Sequence, residues 1–276
     1  EPLPTKELTA PKAVVKTNYV HATAAQLQGS AYAVLDTATG TLTFFRSKDG
    51  KDLQGNTMAF ADGALRAENT DKGLIYYTVD EEIGDRTGLV WPWNVDKNNI
   101  TAVKMEGYIR PDNCNNFFRD LSKVTSYDLS KFYTSKSISL AYMFWQNSGV
   151  TSIDISGFDT SNARDLTAMF SGCKGLTSID LSTLDLTKAR DISRLIGSCS
   201  GLTSVDLSTL DTSSATSLAS LFSGCSNLTD IDITYLNTGK CYSLSTMFKG
   251  CKKLEKLDLR TFNTSNVTTM NNMFEG

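Results

Sequence analysis

The amino-acid sequence predicts an α/β fold. The expected form is a solenoid of 26-residue repeats, with one parallel sheet and short helices on the other face, behind a small β-rich N-terminal capping domain. Three observations carry this expectation. An Asp followed by Leu or Ile recurs at Asp128, Asp154, Asp180, Asp206, Asp232 and Asp258, always at a step of 26 residues. An apolar pair keeps the same period through Met143-Phe144, Met169-Phe170, Leu195-Ile196, Leu221-Phe222, Met247-Phe248 and Met273-Phe274, with Phe117-Phe118 one step upstream. Within each unit the apolar spacing changes from alternation to i, i+3, i+4, i+7, the switch from strand to helix periodicity.

Each unit reads in order as strand, loop, short helix and turn. Ile179 and Leu181 alternate with Ser178, Asp180 and Ser182, as in a strand with one buried face. Asp159, Asp185 and Asp211, continued by Asn237 and Asn263, stand where a helix start needs acceptors for its free N–H groups. Leu166, Met169, Phe170 and Cys173 then line one helical face, and Gly172, Gly224, Gly250 and Gly276 supply left-handed endings. A unit of 26 residues carrying L-x-x-L-x-L lies in the leucine-rich-repeat range, and such units stack because none can bury its apolar face alone. Cys173, Cys199, Cys225 and Cys251 share one slot; Cys241 sits in a slot of alanines and Cys114 in a slot of leucines. All six are expected to be buried free thiols packing as small apolar groups. So large a chain does not need disulfides as staples, and stacked units would set a metal's ligands in a row and not in a tetrahedron.

Upstream of the repeats the pattern differs. Residues 1–19 read as a polar, proline-bearing leader or linker, 20–105 as the β-rich capping domain and 106–276 as the repeats. Two β-rich runs flank Thr37–Gly40, which predicts a hairpin. Gly73 to Asp80 is a further strand candidate, and Trp91-Pro92-Trp93 followed by Ile100 to Met105 leads into the first recognisable repeat. The sequence stops one residue before the next Cys slot, so the last repeat is expected to be truncated or uncapped.

Composition narrows the function. The 276 residues carry 27 basic and 30 acidic side chains, a net charge of −3, which argues against nucleic acid as a partner. No run approaches the length of a membrane span. There is one histidine, His21, which removes most histidine-dependent catalysis and His-rich metal sites. Gly197-Ser198-Cys199-Ser200-Gly201 imitates a nucleophile elbow, but Cys199 is one rung of the thiol slot and lacks a nearby histidine base. The acidic run Asp80, Glu81, Glu82 and Asp85 lacks the alternating spacing of a calcium loop. No catalytic residue, no metal site and no cofactor is therefore expected.

The units TSIDISGFDTSNARDLTAMFSGCKGL (151–176) and TSVDLSTLDTSSATSLASLFSGCSNL (203–228) resemble the repeats of BspA-like leucine-rich-repeat surface proteins of bacteria. AYAVLD, GTLTFF and the WPW segment resemble the flank common in such proteins. The resemblance implies an exported protein of the bacterial cell surface, often lipid-anchored, that adheres to proteins of a host or neighbouring cell. It supplies no catalytic residue.

Two sets of side chains are candidates for binding an extracellular protein ligand. The ladder Asp128, Asp154, Asp180, Asp206, Asp232 and Asp258 would line the outer face of the sheet, each neighbouring pair costing about 0.8 kcal/mol in water. Hydrogen bonds from serines two residues to either side would offset that repulsion; otherwise the face would meet a basic ligand or collect divalent cations. Trp145, Tyr235 and Tyr242 replace small or polar residues of other repeats and are candidate interface anchors. Against the adhesin stand a glycan-binding module that stacks sugars on those aromatics, an architectural spacer, and a hydrolase with its site in the N-terminal region.

Overall fold

A computed structural model describes residues 28–62, 64–81 and 91–276. The expected leader or linker over 1–19, His21, Glu82 and Asp85 lie outside the described residues. Strands β1 (Ser30–Asp36) and β2 (Thr41–Ser47) form the hairpin expected around Thr37–Gly40, with Asp36 opposite Thr41. Gly40 has φ +70°, and a Cβ there would fall 2.8 Å from the Asn99 carbonyl oxygen, so both the turn and the close approach require glycine. Strand β3 (Arg66–Asn69) pairs antiparallel with β4 (Leu74–Val79), which pairs antiparallel with β1. Strands β5 (Ala102–Met105) and β6 (Ser126–Tyr127) add in parallel on the other side. The order is β3-β4-β1-β2-β5-β6. Alternation along the strands sends Ala33, Leu35, Phe44 and Tyr77 into the main core and Val34, Phe45 and Tyr76 into a smaller cluster with Met58.

The expected α/β leucine-rich-repeat solenoid is overturned. Among the described residues there is no α-helix; helical geometry is confined to short 3₁₀ segments at Thr70–Lys72, Pro92–Asn99 and Ile233–Tyr235. The sheet is open, mixed and six-stranded, and only β6 of it lies among the regular repeats. Beyond β6 the repeats are turns joined by isolated parallel bridges, such as Asp165 to Asp191 and Ser204 to Asp230.

Backbone geometry explains the missing helices. Tyr142, Ala168, Arg194, Ser220 and Thr246 all have φ between 53° and 59°, and Gln146, Gly172, Ser198, Gly224 and Gly250, four residues on, are also left-handed. Left-handed residues at that spacing interrupt any run of right-handed helix. Alternate N–H groups also leave the segment. Those of Leu166, Ala168, Phe170 and Gly172 donate to carbonyls of Asp191, Ser193, Leu195 and Gly197 at 2.8–2.9 Å, whereas those of Met169, Ser171 and Cys173 donate back three residues. The spacing that imitates a helical face therefore belongs to consecutive β-turns with one buried side.

The missing strands have a local cause as well. After each Asp-Leu or Asp-Ile pair, the N–H of Ser156, Ser182 or Ser208 donates to the carboxylate two residues earlier, at 2.8–2.9 Å. That Asx-turn removes a donor that a continuous ladder would use.

Repeat is tied to repeat by side chains. The ring of Phe144 stacks on Phe170 at 5.6 Å and 3°, and Phe222, Phe248 and Phe274 stack likewise at 5.4 and 5.9 Å. Buried Thr160 accepts the Asp185 N–H at 2.8 Å and donates to the Asp185 carbonyl at 3.1 Å; Thr212 and Thr238 treat Asn237 and Asn263 in the same way. At the sheet end the first set of turns offers carbonyls to no preceding repeat. Trp91 Nε1 donates to Asn115, Trp93 Nε1 to Phe117 and Asn94 Nδ2 to Arg119, at 3.0, 3.0 and 2.6 Å. These three side chains take the place of the backbone donors that Asn116, Phe118 and Asp120 send to the next repeat.

Candidate binding surface

Five of the six ladder aspartates, Asp128, Asp154, Asp180, Asp206 and Asp232, are exposed, and Asp258 is half-buried. In all six, Oδ1 accepts the backbone N–H two residues later, at 2.8–3.1 Å. The principal donors are thus backbone amides, with hydroxyls adding to some rungs: Thr234 Oγ1 donates to Asp232 at 2.6 Å. Hydrogen bonds from the Ser130 and Ser156 side chains, joined by their N–H groups, hold the Asp128 and Asp154 carboxyls below the ordinary value. Asp258 also makes a two-point ion pair with Arg260, at 2.9 and 2.8 Å. At least one oxygen of each carboxylate is thus committed to its own turn, and each donor offsets part of the repulsion along the ladder. A second ladder, Asp159, Asp185, Asp211, Asn237 and Asn263, does the same at 2.9–3.0 Å; the expected helix caps are turn caps.

The aromatic candidates are dispersed. Trp145 is half-buried, with the Arg119 guanidinium 4.4 Å from its ring centroid. It walls a groove of about 390 Å³ with Gln146, Arg194, Ser198 and Lys249. Tyr235 closes the 3₁₀ turn that Asp232 caps, and it packs on the main core. Tyr242 is 51 % exposed and belongs to neither place.

Tyr242 instead continues a column that sequence reasoning noticed only for its aromatic. Ile138, Arg164, Arg190, Thr216, Tyr242 and Thr268 stand side by side, each N–H donating to the preceding member's carbonyl at 2.8–2.9 Å. Arg164, Lys188, Arg190 and Lys240 line a groove of about 430 Å³ together with Thr187, Ser214 and Thr216. The signal lay in the register: Lys136, Lys188 and Lys240 share one slot, two positions before the arginines' slot.

The thiols face inward. Sγ of Cys173, Cys199, Cys225 and Cys251 each donates to the carbonyl 29 residues earlier at 3.1 Å, and Asn147 Nδ2 fills the same role at 2.8 Å. Burial pushes Cys173 and Cys225 up to about 12 and Cys251 up to about 11, and Cys199 well above its ordinary value. All six cysteines are free and buried. Of the acidic run, Glu81 pairs with Arg46 and accepts the Arg110 N–H, tying the sheet to the first repeat. No three His, Cys, Asp or Glu side chains converge as metal ligands among the described residues. No helix among them is long and apolar enough to cross a membrane.

Residues 112–204 and again 190–276 match a family model described as "Mycoplasma protein of unknown function, DUF285". The two matches together span more than half of the chain. No curated protein and no solved structure matches it.

Proposed function

The chain belongs to the DUF285 family, and on that premise we propose that it is a non-catalytic binding protein of the bacterial cell surface, an adhesin holding an extracellular protein on the outer columns of its repeats. One observation carries the reading. The buried thiols are occupied in holding repeat to repeat, whereas outward columns change identity from one repeat to the next, as the exposed Ser178, Ser204, Asp230 and Lys256 do beside the acidic ladder. A fixed frame with variable outer residues is how stacked repeats present a binding surface. The likeness of residues 151–176 and 203–228 to BspA-like repeats supports location and adhesion alike.

Purified chain would be applied to arrays of extracellular-matrix proteins and glycans, with calcium and with chelator, beside a variant carrying Asn at Asp154, Asp180, Asp206 and Asp232. Protein binding that the variant loses supports an adhesin acting through the acidic ladder. Retained binding moves the partner to another column, and an array with no bound protein favours a spacer.

A further inference from the structure

The groove between Arg164, Lys188, Arg190 and Lys240 is a second candidate site, independent of the protein-binding reading. We propose that this groove binds a linear anionic polysaccharide, with the guanidinium and ammonium groups on its sulfate or carboxylate oxygens and Tyr242 against a sugar ring.

Charge comes first. The chain as a whole is acidic at −3, yet four exposed cations line this one groove with no acidic side chain among its lining residues. None of the four makes an ion pair within the described residues, whereas Arg46, Arg66, Lys97, Lys136, Lys249 and Arg260 all do. The lining hydroxyls already spend their protons within the chain: Thr187 donates to Asp185 Oδ1, Ser214 to the Thr187 carbonyl and Thr216 to the Arg190 carbonyl. Lys188 gives one proton to Asn162 Oδ1 at 3.0 Å and keeps two. The donors left uncommitted among the lining side chains are therefore those of the cations, which selects an anion.

Shape and lining then choose among anions. Arg164, Arg190, Thr216 and Tyr242 follow one another repeat by repeat, so cations and ring lie in line along the stack. A ligand that reads them in sequence is a linear polymer. No large apolar side chain lines the groove, and a protein partner would want an apolar anchor at its centre. Guanidinium groups bind planar and tetrahedral oxyanions in two-point fashion, and an exposed tyrosine ring at the end of the row offers the flat face that a pyranose stacks on.

The test uses the full chain and fluorescein-labelled heparin oligosaccharide, with hyaluronate, poly-L-glutamate and neutral dextran as competitors, read by anisotropy at rising salt. Arg164→Thr, Arg190→Thr, Lys188→Asn and Lys240→Asn are combined, because Thr and Asn occupy those slots in other repeats and the fold tolerates them. Heparin binding that weakens with salt and falls roughly tenfold or more in the combined variant, with an unchanged denaturation midpoint, is the expected result. Tyr242→Thr alone is expected to weaken binding about threefold, less than half of that free-energy loss. Competition by hyaluronate would extend the site to carboxylated glycans, and its absence would confine it to sulfated ones. Heparin binding that the combined variant keeps overturns the site, and poly-L-glutamate competing as well as heparin overturns the ligand class in favour of an acidic polypeptide. Absence of heparin binding by the unaltered chain overturns the proposal outright. Because the same variant is run on the protein array, retained protein binding with lost heparin binding separates this site from the adhesin reading.

Discussion

The sheet around β1 and β2 and the turns of the repeats share one continuous apolar cluster, running from Ala31 to Met273, but they hold their backbones differently. In the sheet, main chain pairs with main chain over seven residues, as β1 does with β2. In the repeats, alternate N–H groups of the turns reach the next repeat, and those between them close backbone turns three residues back. Asx-turns, buried threonines and thiols satisfy further donors and acceptors. Within the paired strands, loss of one side chain's polar group is expected to leave the backbone pairing in place. In the repeats, where side chains such as Thr160 and Thr212 close part of the ladder, the same loss is expected to cost more.

The largest effect should appear where the two regions meet. Trp93 is buried, its ring lies 5.0 Å from Phe44, and its indole N–H closes the Phe117 carbonyl. Trp93→Ala is expected to cost about 3–5 kcal/mol in urea denaturation. Trp93→Phe keeps an aromatic but orphans the carbonyl and should cost about 1–3 kcal/mol. Equal stability of Trp93→Phe and the native chain would show that water can close the ladder, and the contrast at this junction would fail.

Next comes the threonine ladder. Thr212→Val keeps the shape but strands both the N–H and the carbonyl of Asn237, for an expected loss of about 1–3 kcal/mol. Thr216→Val, in the half-exposed column, removes a bond that water replaces and should stay within about 0.5 kcal/mol. Similar losses for the two would mean that the buried ladder does no more than surface hydroxyls do.

Legibility in the sequence follows the same division. The hairpin at Thr37–Gly40 and the strand at Leu74–Val79 were readable because alternation and a glycine turn have one common meaning. The repeat period and the slot shared by Cys173 and its equivalents were also plain, because identical residues recur in identical places. The helices were misread because i, i+3, i+4, i+7 measures only which side chains share a buried side. It is silent on whether Ala168 and Gly172 are left-handed or where alternate N–H groups point. Indole capping by Trp91 and Trp93 and the inward bonds of Thr160 are contacts across about 24–25 residues, which no local pattern encodes. At the surface, Asp154 and its equivalents stood out by identity, whereas Arg164, Lys188, Arg190 and Lys240 come together only when repeats are laid side by side.

A pH experiment separates the regions by their carboxylates. Asp52 in the sheet region is buried, which would raise its pKa, but hydrogen bonds from Asn56, Tyr76 and the Gln54 N–H outweigh burial and leave it lowered. A lowered folded value means the stabilisation is complete at neutral pH and is lost as pH falls through that value. Asp52→Asn should therefore destabilise at neutral pH and flatten the acid limb of the stability curve. An acid limb as steep as that of the native chain would assign acid sensitivity to the other lowered carboxylates, Asp96 beside Arg66 and Tyr77 or Asp128 and Asp154 of the repeats. Thiol labelling offers a parallel reading: all six cysteines should react slowly in the native chain, and fast labelling of Cys251 alone would mark the last repeat as fraying first.

The smallest stability effect is expected at the acidic ladder, and its smallness is what makes it useful. Asp154→Asn keeps an Oδ1 that can accept the Ser156 N–H, as Asn237 and Asn263 already do for Gly239 and Ser265 at 2.9 and 3.0 Å. It removes one charge from a row of like charges, so gain and loss should cancel to within about 0.5 kcal/mol. Asp154→Ala removes the acceptor as well and should cost about 1 kcal/mol, the worth of a cap. If Asn is as costly as Ala, the carboxylate's charge and not its hydrogen bond holds the turn. The row of Asp128 to Asp258 would then be stabilised by something its own backbone does not supply, and a cation bridging neighbouring repeats would become the first thing to look for, by comparing the loss with calcium and with chelator.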